Sequence, residues 1–375
     1  MAPSATETIT IPVQTETSTV KLTSNSGPYK ELAPIGYEKS AEEEGSHPAK
    51  YQNYLPHWGN ELYPPLERYE HRDRGIDADT KYPDLLSEGV EVNDLTPTIG
   101  TEVKGVQISK LSNAGKDQLA RLVAERKVVA FRDQDFADLP IPDALDYVRY
   151  FGRLHIHPTS GAPKGHPEVH LVHRGLGDTT AQAFFQTRTS SVAWHSDVSY
   201  ENQPPGTTFL YILDVPEAGG DTLFANQVEA YNRLSPAFQE RLHGLKAIHS
   251  GIEQVEASRS KGGAVRREPV MTEHPLVRTH PATGEKALYV NPQFTRSIVG
   301  YKQEESDMLL KFLYDHIAYG ADFQARLKWQ AKTVVVWDNR TTSHSALVDW
   351  KTGQRRHLAR IAPQAEAPFE TPFKA

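Results

Sequence analysis

The sequence predicts a mainly β chain of the α+β class, an antiparallel sandwich or barrel with helices packed outside. Three observations predict this. Short apolar or alternating runs recur beyond residue 93, each broken by Gly, Pro or Asn turns. Helical periodicity is confined to a few stretches. No glycine-rich strand-to-helix phosphate loop supports a doubly wound α/β alternative.

Taken in order, residues 1–30 are rich in Ser, Thr and Pro and read as a disordered tail. Residues 31–92, including "YLPHWGNELYPPLERYEHRDRGIDAD", have aromatics and prolines but little periodicity, as expected of a strap that wraps a domain. A single domain is expected over 93–367, followed by a tail at 368–375. Within the domain "TEVKGVQISKL" alternates like a strand, and "NAGKDQLARLVAERKV" has helical spacing through Leu119, Leu122 and Val123. "KVVAFRD" reads as a buried strand and "IPDALDYVRYFG" as a second amphipathic helix. Strands follow in "EVHLVH", "GTTFLYIL", "DTLFANQ", "KALYVN", "TVVVWDN" and "RHLARIA", interrupted by helices near 227–243 and 303–318. No internal repeat is apparent.

Composition narrows the function. The chain has 375 residues and 0 Cys, which removes disulfides, zinc–thiolate sites, iron–sulfur clusters and cysteine nucleophiles. A formal net charge of −7 argues against a nucleic-acid partner held by bulk electrostatics. No apolar run is long enough to span a bilayer, and the amino terminus lacks the order of a secretory signal. A soluble, cytoplasmic protein acting on a small molecule is the expectation, with homo-oligomerisation left open.

The chemistry begins at "WHSDVSY". On an extended segment, residues i and i+2 project from one face, so His195 and Asp197 can aim an imidazole nitrogen and a carboxylate oxygen at one point. The same spacing recurs at His71 and Asp73, which charges and turn formers mark as a solvated loop. His344 follows a Val-rich strand and a D-N-R turn, and is a candidate third ligand. In "GQRRHLARIA", Arg356, Leu358 and Arg360 share one strand face, with the two arginines roughly 13 Å apart along the backbone at ~3.3 Å per residue. Inward arginines are costly unless each meets an anion. Thr222 follows a Gly-Gly-Asp turn. "GHPEVHLVH" holds His166, His170 and His173, but Pro167 and the alternation favour a strand over a zinc site. Trp194 and Trp337 read as packing residues.

Asp197, Thr222, His344 and Arg356, in that order, resemble the signature of the iron(II)/2-oxoglutarate dioxygenases of the taurine dioxygenase (TauD/TfdA) family. "FGRLHIHP", "PPGTTFLYILD", "AGGDTLFAN", "PLVRTHPATGEKALYVNPQFTRSIVG", "FQARLKWQ", "VVVWDNRTTSHSA" and "RRHLAR" follow the family's order over residues 93–367. The strap is similar to that of the fungal sulfonate dioxygenases. The resemblance implies a double-stranded β-helix (jelly-roll) core, with Fe(II) on His195, Asp197 and His344. It also implies 2-oxoglutarate as co-substrate on Arg356 and Thr222, and O2 as oxidant. Two imidazoles and one carboxylate leave three coordination positions open, as such oxygenases require. The retained carboxylate argues against a halogenase.

The resemblance also implies a substrate anion on His157 and Arg360. Where taurine-using members place an acid and an amide for the substrate amine, this chain has Ser190 and Ser191, and the expected tyrosine is Ser160. Ser191 and Phe294 are candidate substrate contacts; Arg188 reads as a solvent-facing loop residue. The implied reaction hydroxylates the carbon next to sulfur in a small organosulfonate, giving an aldehyde, sulfite, succinate and CO2. The rivals are the same chemistry on an alkyl sulfate ester, a carboxylate or an amino acid, or a non-catalytic jelly-roll binding module.

Overall fold

Seven strands form the larger of two facing sheets that position the site. The computed structural model describes residues 39–40, 48–59, 61–178, 180–351 and 353–374; the tail expected at 1–30 lies outside them. The strap carries β1 (Lys39–Ser40) and β2 (His57–Trp58). Then follow β3 (Glu91–Asp94), β4 (Thr101–Lys104), α1 (Asn113–Arg126), β5 (Val128–Phe131), α2 (Ile141–Arg149), β6 (Val169–Arg174), α3 (Thr180–Thr187), β7 (Thr207–Asp214) and β8 (Thr222–Asn226). The middle of the chain adds α4 (Gln227–Asn232), α5 (Pro236–Leu242), β9 (Lys246–Ser250), α6 (Ile252–Arg259), β10 (Met271–Pro275), β11 (Val277–Thr279), β12 (Lys286–Leu288), β13 (Thr295–Ile298) and α7 (Gln303–Tyr319). Four strands complete it: β14 (Gln324–Leu327), β15 (Val334–Asp338), β16 (Thr342–Ala346) and β17 (Arg356–Ile361).

The larger sheet runs β3-β4-β5-β15-β7-β17-β6, antiparallel except for the parallel β4–β5 pair. The smaller runs β14-β8-β16. Strand periodicity explains how the Val-rich runs serve both faces of the larger sheet. Val129, Phe131, Val334 and Val336 pack outward with Leu119, Val123 and Val148 of α1 and α2. Their neighbours Val128, Ala130, Val335 and Trp337 point inward to Phe224 of β8 and Leu327 of β14. α1 starts at Ser112, whose hydroxyl accepts from Gly115 N at 3.1 Å. The helical stretch expected near 227–243 is two helices, because Pro236 can open a helix but not continue one. The sheet β10-β9-β13 was not expected from the sequence.

The expectation of a solvated loop at His71 and Asp73 is corrected here. His71 is partly buried. Asp73 is buried, and its carboxylate meets Arg340 Nη1 at 2.5 Å. Arg340 also holds Asp338 and Glu366, so the strap is bolted to the end of β15. The carboxyl-terminal residues are tied down too: Thr371 N donates to Thr279 Oγ1 at 2.9 Å. No helix among the described residues is long and apolar enough to cross a membrane.

Candidate active site

Where the core between the two sheets stops, a cavity of about 490 Å³ opens, within the range of small-molecule sites. Its floor is the inward face of two paired strands. β6 and β17 lie in a register that sets Arg360 opposite His170, Leu358 opposite Val172 and Arg356 opposite Arg174, and all six line the cavity. Thr222 of β8 and His344 of β16 face them from the smaller sheet.

His195 joins that smaller sheet through a two-hydrogen-bond bridge to His344, with N–O distances of 3.0 and 2.8 Å. The bridge brings the imidazole rings to 4.2 Å between centroids. Asp197 Oδ1 lies 3.6 Å from Nε2 of each histidine. All three ligand atoms fall within 4.8 Å of one another. Among the described residues this is the sole His/Cys/Asp/Glu group able to hold a metal ion.

The chemistry of these donors fits iron(II). His195 Nδ1 lies 2.9 Å from the Ala193 carbonyl, which can only accept, so the proton sits on Nδ1 and the Nε2 lone pair is free for a metal. Burial holds His344 neutral, with its pKa lowered to about 3; its Nδ1 is buried without a partner among the described residues. Burial alone would raise the Asp197 carboxyl, but Arg360 and the two imidazoles hold it well below its usual range. Arg360 Nη1 donates to Asp197 Oδ2 at 2.6 Å, leaving Oδ1 toward the histidines.

The loop behind Asp197 is strained and clamped. Val198 sits at φ +40°, a conformation a β-branched side chain rarely adopts. Asn339 holds both backbone groups of Asp197: its Oδ1 accepts from Asp197 N at 2.8 Å, and its Nδ2 donates to Asp197 O at 3.0 Å. Asn339 is the residue after Asp338 in the quoted "VVVWDN", and the sequence reading passed over it.

At the other end of the floor, Arg356 is buried and donates through Nε to the Gly220 carbonyl at 3.0 Å. A Cβ on Gly220 would come within 2.9 Å of that Nε, and its φ of +68° also calls for glycine. No carboxylate within the described residues pairs with Arg356; burial, with Arg174 opposite, brings its pKa down to about 10. Thr222 Oγ1 accepts from the Trp329 indole at 3.1 Å. An unpaired buried guanidinium beside a fixed hydroxyl is suited to an incoming carboxylate.

His157 lies buried on the cavity wall, and its Nδ1 receives the amides of Thr159 and Ser160 at 3.2 and 3.1 Å. Those groups only donate, so the proton sits on Nε2. Phe294 lines the cavity, 6.2 Å from the His195 ring. Ser191 is not among the lining residues; its Oγ accepts from Val348 N at 3.3 Å on the rim. Arg188 is exposed and lies over the Phe184 ring. Trp194 packs in the helical core, whereas Trp337 reaches the cavity.

Trp58 was missed by the sequence reading and comes from the strap. His57 and Ala162 exchange two backbone hydrogen bonds, laying Trp58 over the turn after His157. Gly161 makes this possible, since a Cβ there would approach Pro56 to 2.7 Å and Trp58 to 3.1 Å. His170 was also missed as a site residue, although the alternation of "EVHLVH" put it on one face with Val172.

Residues 91–362 match the family described as taurine catabolism dioxygenase TauD, TfdA family. The chain belongs to that family. An alpha-ketoglutarate-dependent sulfonate dioxygenase of Saccharomyces cerevisiae is 46% identical over 327 residues, covering 86% of this chain and 79% of that protein. An alkylsulfatase of Acinetobacter baylyi is 30% identical, covering 75% of this chain and 86% of that protein. The crystal structure of a taurine dioxygenase from Burkholderia xenovorans superposes with a TM-score of 0.60 at 32% identity, covering 74% of this chain and 92% of that one. This TauD-family chain is therefore a 2-oxoglutarate-dependent dioxygenase on a double-stranded β-helix, using Fe(II), 2-oxoglutarate and O2.

Proposed function

We propose that this dioxygenase hydroxylates the carbon bonded to sulfur in a small organosulfonate that carries no amine. The observation that carries this reading is the charge of the cavity lining. Of its three arginines, Arg174 meets Asp178, Arg356 is left for the co-substrate and Arg360 for the substrate, and the single carboxylate of the lining, Asp197, belongs to the metal triad. The substrate is thus an anion, and nothing in the lining is built to pair a cation.

Iron(II) on His195, Asp197 and His344, with 2-oxoglutarate and O2, supplies the oxidising power that converts a C–H bond to C–OH. The chain's residues supply position. Arg356 takes the far carboxylate of 2-oxoglutarate, with Thr222 Oγ1 beside it, and so fixes the co-substrate's orientation as well as its affinity. His157, through its Nε2–H, and Arg360 hold the substrate's anionic head, setting the adjacent carbon toward the triad. Trp58, Phe294 and Trp337 close the cavity with apolar surface and exclude water. The 1-hydroxysulfonate then loses sulfite as its hydroxyl becomes the carbonyl of an aldehyde.

Succinate and sulfite release across a panel of alkanesulfonates, sulfate esters and amino acids tests this. Equimolar succinate and sulfite from an alkanesulfonate is expected. Coupled turnover of a sulfate ester or amino acid, with no sulfite from any sulfonate, would refute it.

A further inference from the structure

Resting on the sulfonate reading above, we propose that His170 is a third donor to the substrate's anionic head, selecting a three-oxygen anion over a carboxylate. The β6–β17 register places His170 directly across from Arg360 on the inward face, and both line the cavity. Cross-strand partners on one face stand close enough for side chains of this length to meet. They do meet: Arg360 Nη2 lies 3.2 Å from His170 Nδ1. A guanidinium can only donate. His170 Nδ1 is therefore the acceptor, and the ring proton sits on Nε2.

His157 is oriented in the same way. Its Nδ1 receives two backbone amides, which again leaves the proton on Nε2. Ser160 Oγ lies 2.7 Å from Nδ1 of both histidines, and its single proton serves one of these two acceptors at a time. The rings stand edge to face with centroids 4.6 Å apart. Neither Nε2 has a protein partner among the described residues, and both rings border the cavity. Burial, reinforced by Arg360, keeps both imidazoles neutral.

The result is two imidazole N–H donors beside one guanidinium. A carboxylate offers two oxygens in one plane, whereas the tetrahedral sulfonate head offers three, one for each donor. Ser160 stands where taurine-using relatives are expected to have a tyrosine, and here its hydroxyl lies against the Nδ1 atoms of the histidine pair instead.

The test uses the full-length holoenzyme with an amine-free alkanesulfonate as substrate. Its chain-matched carboxylate serves as competing inhibitor. His170→Asn keeps a polar group near the Nδ1 position and removes the Nε2 donor, whereas His170→Gln returns an amide donor near Nε2. His170→Asn is expected to raise the sulfonate KM about 10-fold, the worth of one hydrogen bond to a charged group. Its 2-oxoglutarate KM and its anaerobic iron–2-oxoglutarate absorption band should stay unchanged. Carboxylate inhibition should change little, so the preference between the two anions collapses, and His170→Gln should recover part of it. A sulfonate KM equal to wild type, or equal weakening of both anions, overturns the proposal. Should His170→Asn fail to give the band, Ser160→Ala decides: a smaller loss of the same selectivity supports the proposal, and none overturns it. If the wild type releases no sulfite from any sulfonate, the sulfonate reading itself has failed. Normal sulfite release with an indifferent His170→Asn fails this proposal alone.

Discussion

Taurine should be a poor substrate beside an alkanesulfonate of similar length without the amine. The perturbation is one ammonium group placed in this cavity. Ser160 Oγ is engaged by His157 and His170, and Ser190 and Ser191 accept from backbone amides on the rim. The nearby acid Glu201 is buried and committed, at 2.5 Å from Arg267 and 2.9 Å from His155. Burial alone would raise its carboxyl, but Arg267 and His155 hold it below the usual range, so it stays ionised in that pairing. Recruiting it would strip a buried arginine of its partner. A desolvated ammonium without a carboxylate forfeits about 2–5 kcal/mol, which is roughly 30-fold to several-thousand-fold in selectivity. Competition between the two sulfonates, scored by sulfite and by each aldehyde, measures the ratio directly. Equal or preferred use of taurine would contradict this, because it would require an acidic partner that the lining does not contain outside the metal triad.

Four further outcomes are expected. Arg356→Ala should raise the 2-oxoglutarate requirement by roughly 30-fold or more, the loss of a fixed charge partner. Arg360→Ala should chiefly raise the sulfonate KM and uncouple succinate from sulfite; steady-state kinetics with each substrate varied separates the two, and exchanged phenotypes would contradict the assignment. Asn339→Ala should weaken iron(II) affinity about 10- to 100-fold without removing a ligand, as loss of outer support does, measured by anaerobic iron titration. Glu366 has its carboxyl drawn to about 2; burial opposes this, and Arg340 and Arg278 outweigh it. Because the folded value lies below the unfolded one, the stability it confers is complete above about pH 4.5 and is lost as pH falls through about 2, amounting to roughly 3 kcal/mol at neutral pH. Urea unfolding of Glu366→Gln should show a deficit at pH 7 that narrows toward pH 2, and a pH-independent deficit would contradict it.

Local spacing alone left the metal triad undecided, because His71 and Asp73 repeat the H-x-D spacing of His195 and Asp197; the order of motifs shared with the family singled the triad out. In the structure His195 bridges to His344, and Asp197 follows on a turn rather than a strand. Arg356 and Arg360 on one strand face fitted either an anion site or a solvated edge, and the family's motif order decided for the anion site. What escaped depended on partners far along the chain. Asp73 looked solvated because its burial is created by Arg340, which the fold delivers from the far side of the domain. His170 became a site residue only through its register with β17, which no local pattern encodes. Trp58 reaches the cavity through a bridge to Ala162, and Gly161 gives no sign in sequence of the indole it must admit. Ser191 was placed by correspondence with the family, and the rim loop turns its hydroxyl to Val348 instead.

The chemistry proposed for this chain requires His195, Asp197 and His344 to hold one iron(II) that also takes 2-oxoglutarate. Anaerobic titration of the purified protein with iron(II) and 2-oxoglutarate, followed by visible absorption, tests this most directly. A weak metal-to-ligand charge-transfer band is expected in the wild type and in His71→Ala, whose histidine belongs to the other H-x-D pair. The band should be lost in His195→Ala and in His344→Ala. A band that survives either of those substitutions, or that disappears in His71→Ala, would contradict the account.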